Sequence, residues 1–277
     1  CSTLRCIAMS SELSLNATTT SLAARSLGSS PYARVFVHGF AQTSRCIGLF
    51  GDLLAESDGL LAVDAPGHGR SVEHGEASIA QGAELLCATA GRSQYIGYSM
   101  GGRISLQAAI THPELVSSLV LIGATAGIED QQELAQRREW DYQQAELLEQ
   151  VGLDAFLQSW LDQPLFVGLP EGARFETERK TNTVEGLAAS LRSAGTSSMS
   201  PLWDRLHLIQ CPVLVLTGER DTRYCEVAER LVAGIGSAAT HEIIAGAGHA
   251  AHLEQPEATA AAVLKFQDQT EVPIQSP

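Results

Sequence analysis

The segment Gly97-Tyr98-Ser99-Met100-Gly101-Gly102 constrains this chain more than any other. It follows the apolar pair Tyr95-Ile96 and precedes a helix-like run over 103–111. A serine between two glycines at a strand-to-helix turn is a nucleophile elbow. The turn strains the serine backbone, and its glycines are needed because strand and helix approach too closely for a Cβ. The serine hydroxyl is left above a sheet, at the positive end of a helix. In a chain with 25 glycines such a string can also arise by chance, so the elbow needs support from elsewhere.

That support begins with the pattern around it. From residue 34 onward, short apolar runs alternate with helix-like stretches, at 35–37, 60–63, 94–96, 119–122, 213–217 and 242–244. The runs end in Gly-, His-, Asp- and Ser-bearing turns, such as His38-Gly39-Phe40 and Asp64-Ala65-Pro66-Gly67-His68-Gly69. Strands spaced by helices imply a parallel sheet covered on both faces. An open sheet of this kind binds ligands at the carboxyl ends of its strands. Residues 126–204 break the alternation: they are polar and helix-prone, with no clear strand. We expect a core made of 1–125 and 205–277, with 126–204 a helical lid inserted into it.

A formal net charge of −14 argues against nucleic acid as a partner. No apolar run reaches the ~18 residues that a membrane span needs. The cysteines at 1, 6, 46, 87, 211 and 225 form no Cys-x-x-Cys pair, so they read as buried or incidental thiols and favour a reducing compartment. The first 30 residues hold eight Ser, four Thr and the single acid Glu12. That composition is like a transit peptide, yet Leu4–Met9 and Glu12–Leu15 also read as a β-hairpin. The chain begins with Cys, which fits a trimmed or excised segment. The expected location is the cytoplasm, or a plastid if the N-terminal segment derives from a plant or algal protein.

A serine hydroxyl is a poor nucleophile or base until a histidine takes its proton. His249, in the loop after the last apolar run, is the candidate. His252 falls on the following helix, and His38 reads as support for its own turn. The histidine in turn needs a carboxylate. Asp221, just past the preceding strand, is placed for this; Asp64 and Glu219 are the alternatives. The backbone N–H groups of Phe40 and Met100 could form an oxyanion hole. The order Ser99…Asp221…His249 is that of the α/β-hydrolase triad, so the expected class is α/β, with an α/β-hydrolase fold of mostly parallel sheet and helices on both faces.

Fold does not give the reaction. Arg103 lies four residues after Ser99, one turn along and on the same helix face. A forked cation beside the serine suits a carboxylate-bearing substrate, although a solvated or salt-bridged helix residue would look the same.

Here a specific resemblance enters. Gly97-Tyr98-Ser99-Met100-Gly101-Gly102-Arg103 resembles the elbow of the 2-succinyl-6-hydroxy-2,4-cyclohexadiene-1-carboxylate (SHCHC) synthase family, which eliminates pyruvate in menaquinone and phylloquinone biosynthesis. Gln136-Arg137-Arg138-Glu139-Trp140-Asp141 is similar to its Arg-rich cap helix, and Trp160-Leu161-Asp162-Gln163-Pro164-Leu165-Phe166 to its Trp-x-x-Gln-Pro-x-Phe segment. Arg179-Lys180-Thr181-Asn182, Gly218-Glu219-Arg220-Asp221 and the stretch 246–256 also resemble the family. The likeness covers residues 33–268; the Ser/Thr-rich N-terminus and the acidity depart from it. It implies Ser99, Asp221 and His249 as the triad, and Arg103, Arg137 and Arg179 as holders of substrate carboxylates. Tyr98 and Trp160 would line the pocket, and the expected partner is a small polyanion, with no metal or organic cofactor. The alternatives are a serine hydrolase acting on a small carboxylate-bearing substrate and a non-enzymatic ligand receptor.

Overall fold

The computed structural model describes residues 21–28, 31–56 and 58–270. The expected N-terminal hairpin lies outside the described residues. Seven strands form one sheet: β1 (Ala24–Leu27), β2 (Tyr32–Val37), β3 (Gly59–Val63), β4 (Ser93–Tyr98), β5 (Val116–Ile122), β6 (Val213–Gly218) and β7 (Ala239–Ile244). Their spatial order is β1-β3-β2-β4-β5-β6-β7. All pairings are parallel except β1 with β3.

Each expected apolar run is a strand, or lies within one. β1 was not expected. Its sequence Ala-Arg-Ser-Leu has no apolar run, and it is held as an edge by pairing Ala24 with Val63 through to Leu27 with Leu60. β7 also begins earlier than expected, because its first residues, Ala-Thr-His, are only partly apolar.

The strands bury both faces, with residues alternating between two cores. Val35, Val37, Tyr95, Leu119 and Leu121 join one core with Leu86 of α2 (Ile79–Ala90), Ile104 of α3 (Met100–Thr111) and Leu231 of α8 (Thr222–Ile235). Phe36, Ile96, Val120 and Leu214 join the other, with Phe50 of α1 (Gly48–Ala55), Ala251 of the short α9 (Ala251–Glu254) and Val263 of α10 (Pro256–Thr270).

Between β5 and β6 every element is helical: α4 (Gln131–Val151), α5 (Leu153–Leu161), α6 (Glu176–Arg179), α7 (Val184–Ala194) and short 3₁₀ turns. α4 starts where Asp130 accepts the Glu133 N–H at 2.8 Å, and it ends at Gly152, whose φ of 77° suits glycine. A bidentate pair from Arg192 to Glu149, at 2.6 and 2.8 Å, joins α7 to α4. α7 sits hard against the turn after β3: a Cβ at Gly186 would lie 2.4 Å from the Gly67 carbonyl oxygen. Cys46, Cys87, Cys211 and Cys225 are free thiols, the first three buried. Among the described residues, no helix is long and apolar enough to cross a membrane.

Candidate active site

The elbow lies between β4 and α3. Ser99 has φ 50° and ψ −108°, a region that non-glycine residues rarely occupy. The two glycines are enforced by contact. A Cβ on Gly97 would lie 2.5 Å from the Gly101 oxygen, and one on Gly101 would lie 2.1 Å from the Val37 oxygen. A serine at a helix N-cap ordinarily accepts from the first-turn N–H groups. Ser99 does not; its Oγ instead lies 3.3 Å from Nε2 of His249.

His249 Nδ1 is 2.6 Å from Oδ2 of Asp221. A carboxylate only accepts, so Nδ1 carries the proton and Nε2 presents its lone pair to the Ser99 hydroxyl. Both partners are held by their loops. The Arg220 N–H donates to the Ala247 oxygen at 2.8 Å, tying the loop that bears Asp221 to the loop that bears His249. On the histidine loop, the buried Glu254 carboxylate accepts from the N–H of Gly248 at 2.8 Å and of Ala250 at 3.2 Å, on either side of His249, and from Arg220 at 2.9 Å. The other sequence candidates are committed elsewhere. Asp64 accepts from the backbone of Ser44 and Arg70, and Glu219 from the Gly246 N–H. His38 supports its turn as expected: Nδ1 faces the Gly39 oxygen and Nε2 accepts the Ala65 N–H. His252 is fully buried among the rings of Phe36, Phe50 and Tyr98.

Among the described residues, no acceptor takes the backbone N–H of Phe40 or of Met100. Both residues line a cavity of about 190 Å³ that also holds Ser99 and His249. Arg103, Arg137, Arg179, Tyr98 and Trp160 line the same cavity. Helix α3 and the helices α4, α5 and α6, which lie between β5 and β6 in the chain, therefore meet over one serine.

The three arginines are held differently. Arg103 is buried and gives one nitrogen to the Ala194 oxygen at 2.8 Å; burial, with Arg137 nearby, lowers its pKa to about 10. Arg137 Nε pairs with Asp141 at 2.7 Å, and its guanidinium lies 4.7 Å from the centre of the Trp140 ring. Arg179 is buried, which lowers its pKa, and it donates to the carbonyls of Arg174 and Ala41 at 2.7 and 2.9 Å. Asp141 is the acid facing this group, and it also accepts from the Ser197 hydroxyl at 2.7 Å. Three cations against that carboxylate leave the cavity lining positive in a chain of net charge −14. Trp160 Nε1 is buried and has no hydrogen-bond partner among the described residues.

Tyr224 and Asp141 are among the lining residues to which the sequence assigns no role. The ring of Tyr224 packs 4.6 Å from that of His249; its place three residues past Asp221, in the first turn of α8, was a usable signal. Asp141 was signalled by its i+4 spacing from Arg137.

Residues 35–262 match the Alpha/beta hydrolase family. A Salmonella agona (strain SL483) protein named 2-succinyl-6-hydroxy-2,4-cyclohexadiene-1-carboxylate synthase is 31% identical over 80% of this chain and 88% of its own. A Bacillus subtilis (strain 168) protein, provisionally given the same name, is 33% identical over 84% of this chain and 89% of its own. The structure of MenH from S. aureus superposes with a TM-score of 0.81 at 27% identity, covering 90% of this chain and 99% of that one. The chain belongs to the alpha/beta hydrolase family and, within it, is a relative of the 2-succinyl-6-hydroxy-2,4-cyclohexadiene-1-carboxylate synthases.

Proposed function

We propose that this enzyme is a lyase that eliminates pyruvate from 2-succinyl-5-enolpyruvyl-6-hydroxy-3-cyclohexene-1-carboxylate to give SHCHC, in menaquinone or phylloquinone biosynthesis. The observation that carries the reading is the convergence of Arg103, Arg137 and Arg179 on the cavity that holds Ser99. A pocket for a simple neutral ester needs no such charge. A substrate with a succinyl chain, a ring carboxylate and an enolpyruvyl carboxylate supplies an anion for each guanidinium. The names of the relatives support the same assignment.

In this reading, His249 takes the Ser99 proton as Ser99 Oγ removes a ring proton next to a carbonyl, and Asp221 steadies the imidazolium. The enolate oxygen that forms is met by the N–H groups of Phe40 and Met100. Collapse of the enolate expels the enolpyruvyl oxygen as the ring diene forms, and the proton held on His249 neutralises the leaving group. Ser99 acts as a base and forms no ester. The inserted helices act as a lid, excluding water and so strengthening each arginine–carboxylate contact.

The test is pyruvate release from the succinyl cyclohexene substrate, run beside a panel of aryl esters. The expected result is stoichiometric pyruvate with no covalent adduct on Ser99 during turnover. Fast ester hydrolysis with an acyl-enzyme burst and no pyruvate would overturn the lyase and establish a serine hydrolase. Turnover of neither substrate class would leave the receptor.

A further inference from the structure

We propose that His68 and Asn182, neither of which lines the cavity, are positioning residues for the oxyanion loop, so that the inserted helices set the geometry in which Phe40 presents its N–H. The inference rests on the role given to that N–H under Proposed function.

The loop is a tight turn. The Gln42 N–H returns to the Gly39 oxygen at 3.3 Å, which places Phe40 and Ala41 at its two corners. Ala41 has φ 58°. The second corner of such a turn normally takes glycine when φ is positive, and an alanine stays there only if its surroundings over-determine it.

Four contacts do so. The Ala41 N–H donates to Nε2 of His68 at 3.1 Å. The Ala41 oxygen accepts from Arg179 at 2.9 Å. The Gln42 oxygen accepts from Nδ2 of Asn182 at 3.3 Å, and the Gly39 N–H donates to Oε1 of Gln42 at 3.0 Å. His68 can accept because its Nδ1 is committed as donor to the Pro66 oxygen at 2.9 Å, leaving the lone pair on Nε2. Its ring also meets that of Phe40 edge-on, with centroids 5.5 Å apart and planes at 90°. Asn182 closes the assembly: Oδ1 accepts the Gly69 N–H at 2.9 Å, and Nδ2 also reaches the Arg179 oxygen at 2.8 Å.

One asparagine thus joins the turn after β2, the turn after β3 and the backbone of the pocket arginine. Arg179 acquires a second task. The same guanidinium that borders the cavity holds the carbonyl of the strained alanine, so a shift of α6 is felt at the Phe40 N–H. Small misplacements of groups that meet a transition state cost rate rather than binding.

The experiment is Asn182→Ala, measured on the succinyl cyclohexene substrate and on p-nitrophenyl acetate, with a thermal melt to establish the folded fraction. We expect kcat to fall about 10–100-fold on both substrates, with KM within about 2-fold of wild type, since the oxyanion contact is common to both. If Asn182→Ala does not fold, Asn182→Asp keeps the acceptor for Gly69, removes both donors and carries the same expectation. Wild-type kcat in a folded variant would overturn the proposal. So would a rise in KM alone, which would make Asn182 a support of the binding pocket only. If wild type releases no pyruvate, the lyase reading falls, and the ester arm still reads the oxyanion loop.

Discussion

The floor and the roof of the cavity hold their polar groups in opposite ways. At the floor, His249 lines the cavity, and Asp221, His38 and His68 lie behind the lining; each has fixed partners, mostly backbone, within about 3 Å. On the roof, among the described residues, Arg137 and Arg179 each have guanidinium nitrogens without a hydrogen-bond partner, and Trp160 Nε1 has none. Buried polar groups that are satisfied rigidify a site, and those left over wait for something else to pair with. On the proposed function, the floor supplies geometry at the reacting atoms and the roof supplies recognition. Floor variants should therefore lose kcat, and roof variants should lose affinity.

The largest effect that tests this division is at Ser99 and His249. Ser99→Ala and His249→Ala should each remove several kcal/mol of transition-state stabilisation, and the double variant little more. Steady-state rates of all three decide it, and additive losses would show that the residues do not act as a unit. The second effect concerns the stability of the floor. Burial holds the pKa of His38 down to about 4 and those of His68 and His252 down to about 3. The unfolded chain takes up these protons from about pH 6.5 downward, while the fold resists them. Stability is thus complete above about pH 6.5 and is lost as pH falls towards 4, at up to ~1.4 kcal/mol per histidine per pH unit. Melting temperature should drop by about 10 °C between pH 7 and 5, and His252→Phe should flatten that slope by about one third. A melting temperature flat down to pH 5 would show that these imidazoles gain protons in the folded state.

Turning to the roof, Arg137→Ala should raise KM with kcat nearly kept, a loss of about 2 kcal/mol in kcat/KM, and Arg137→Lys should recover only part of it. An equal fall in kcat would place Arg137 among the groups that act in the transition state. The smallest effect is Trp160→Phe. It keeps an aromatic ring against Phe40 and Phe156 and removes one donor, so affinity should weaken by about 1 kcal/mol. Calorimetric titration with the product checks it; unchanged affinity would mean that Nε1 meets water rather than ligand.

These regions also differed in how far the sequence exposed them. The elbow, the histidine loop and the acid loop are short strings whose residue types answer to local backbone geometry, and they could be read directly. Arg103 followed from helical spacing, and the same spacing from Arg137 would have pointed to Asp141. His68 and Asn182 did not, because their tasks are defined by backbone atoms of a distant turn. Asn182 is 140 positions from the Gln42 carbonyl it holds. β1 escaped for a related reason: its conformation is set by the free edge of β3 and not by its own four residues.

The helix that starts at Ser99 is buried at every residue from Met100 to Ile110. It has no solvent face on which to shift, so a larger or smaller side chain on it must be absorbed by the sheet, by α2 or by the segment around α7 that packs on Met100 and Arg103. Evolution or engineering of a new substrate range therefore has little room to act on this helix, Arg103 included. The freedom lies in α4 and α5, which keep many exposed positions and also bring Arg137, Trp140 and Trp160 to the cavity. The fold in effect fixes the wall of the cavity that carries Ser99 and Arg103 and leaves the solvent side of α4 and α5 open to change.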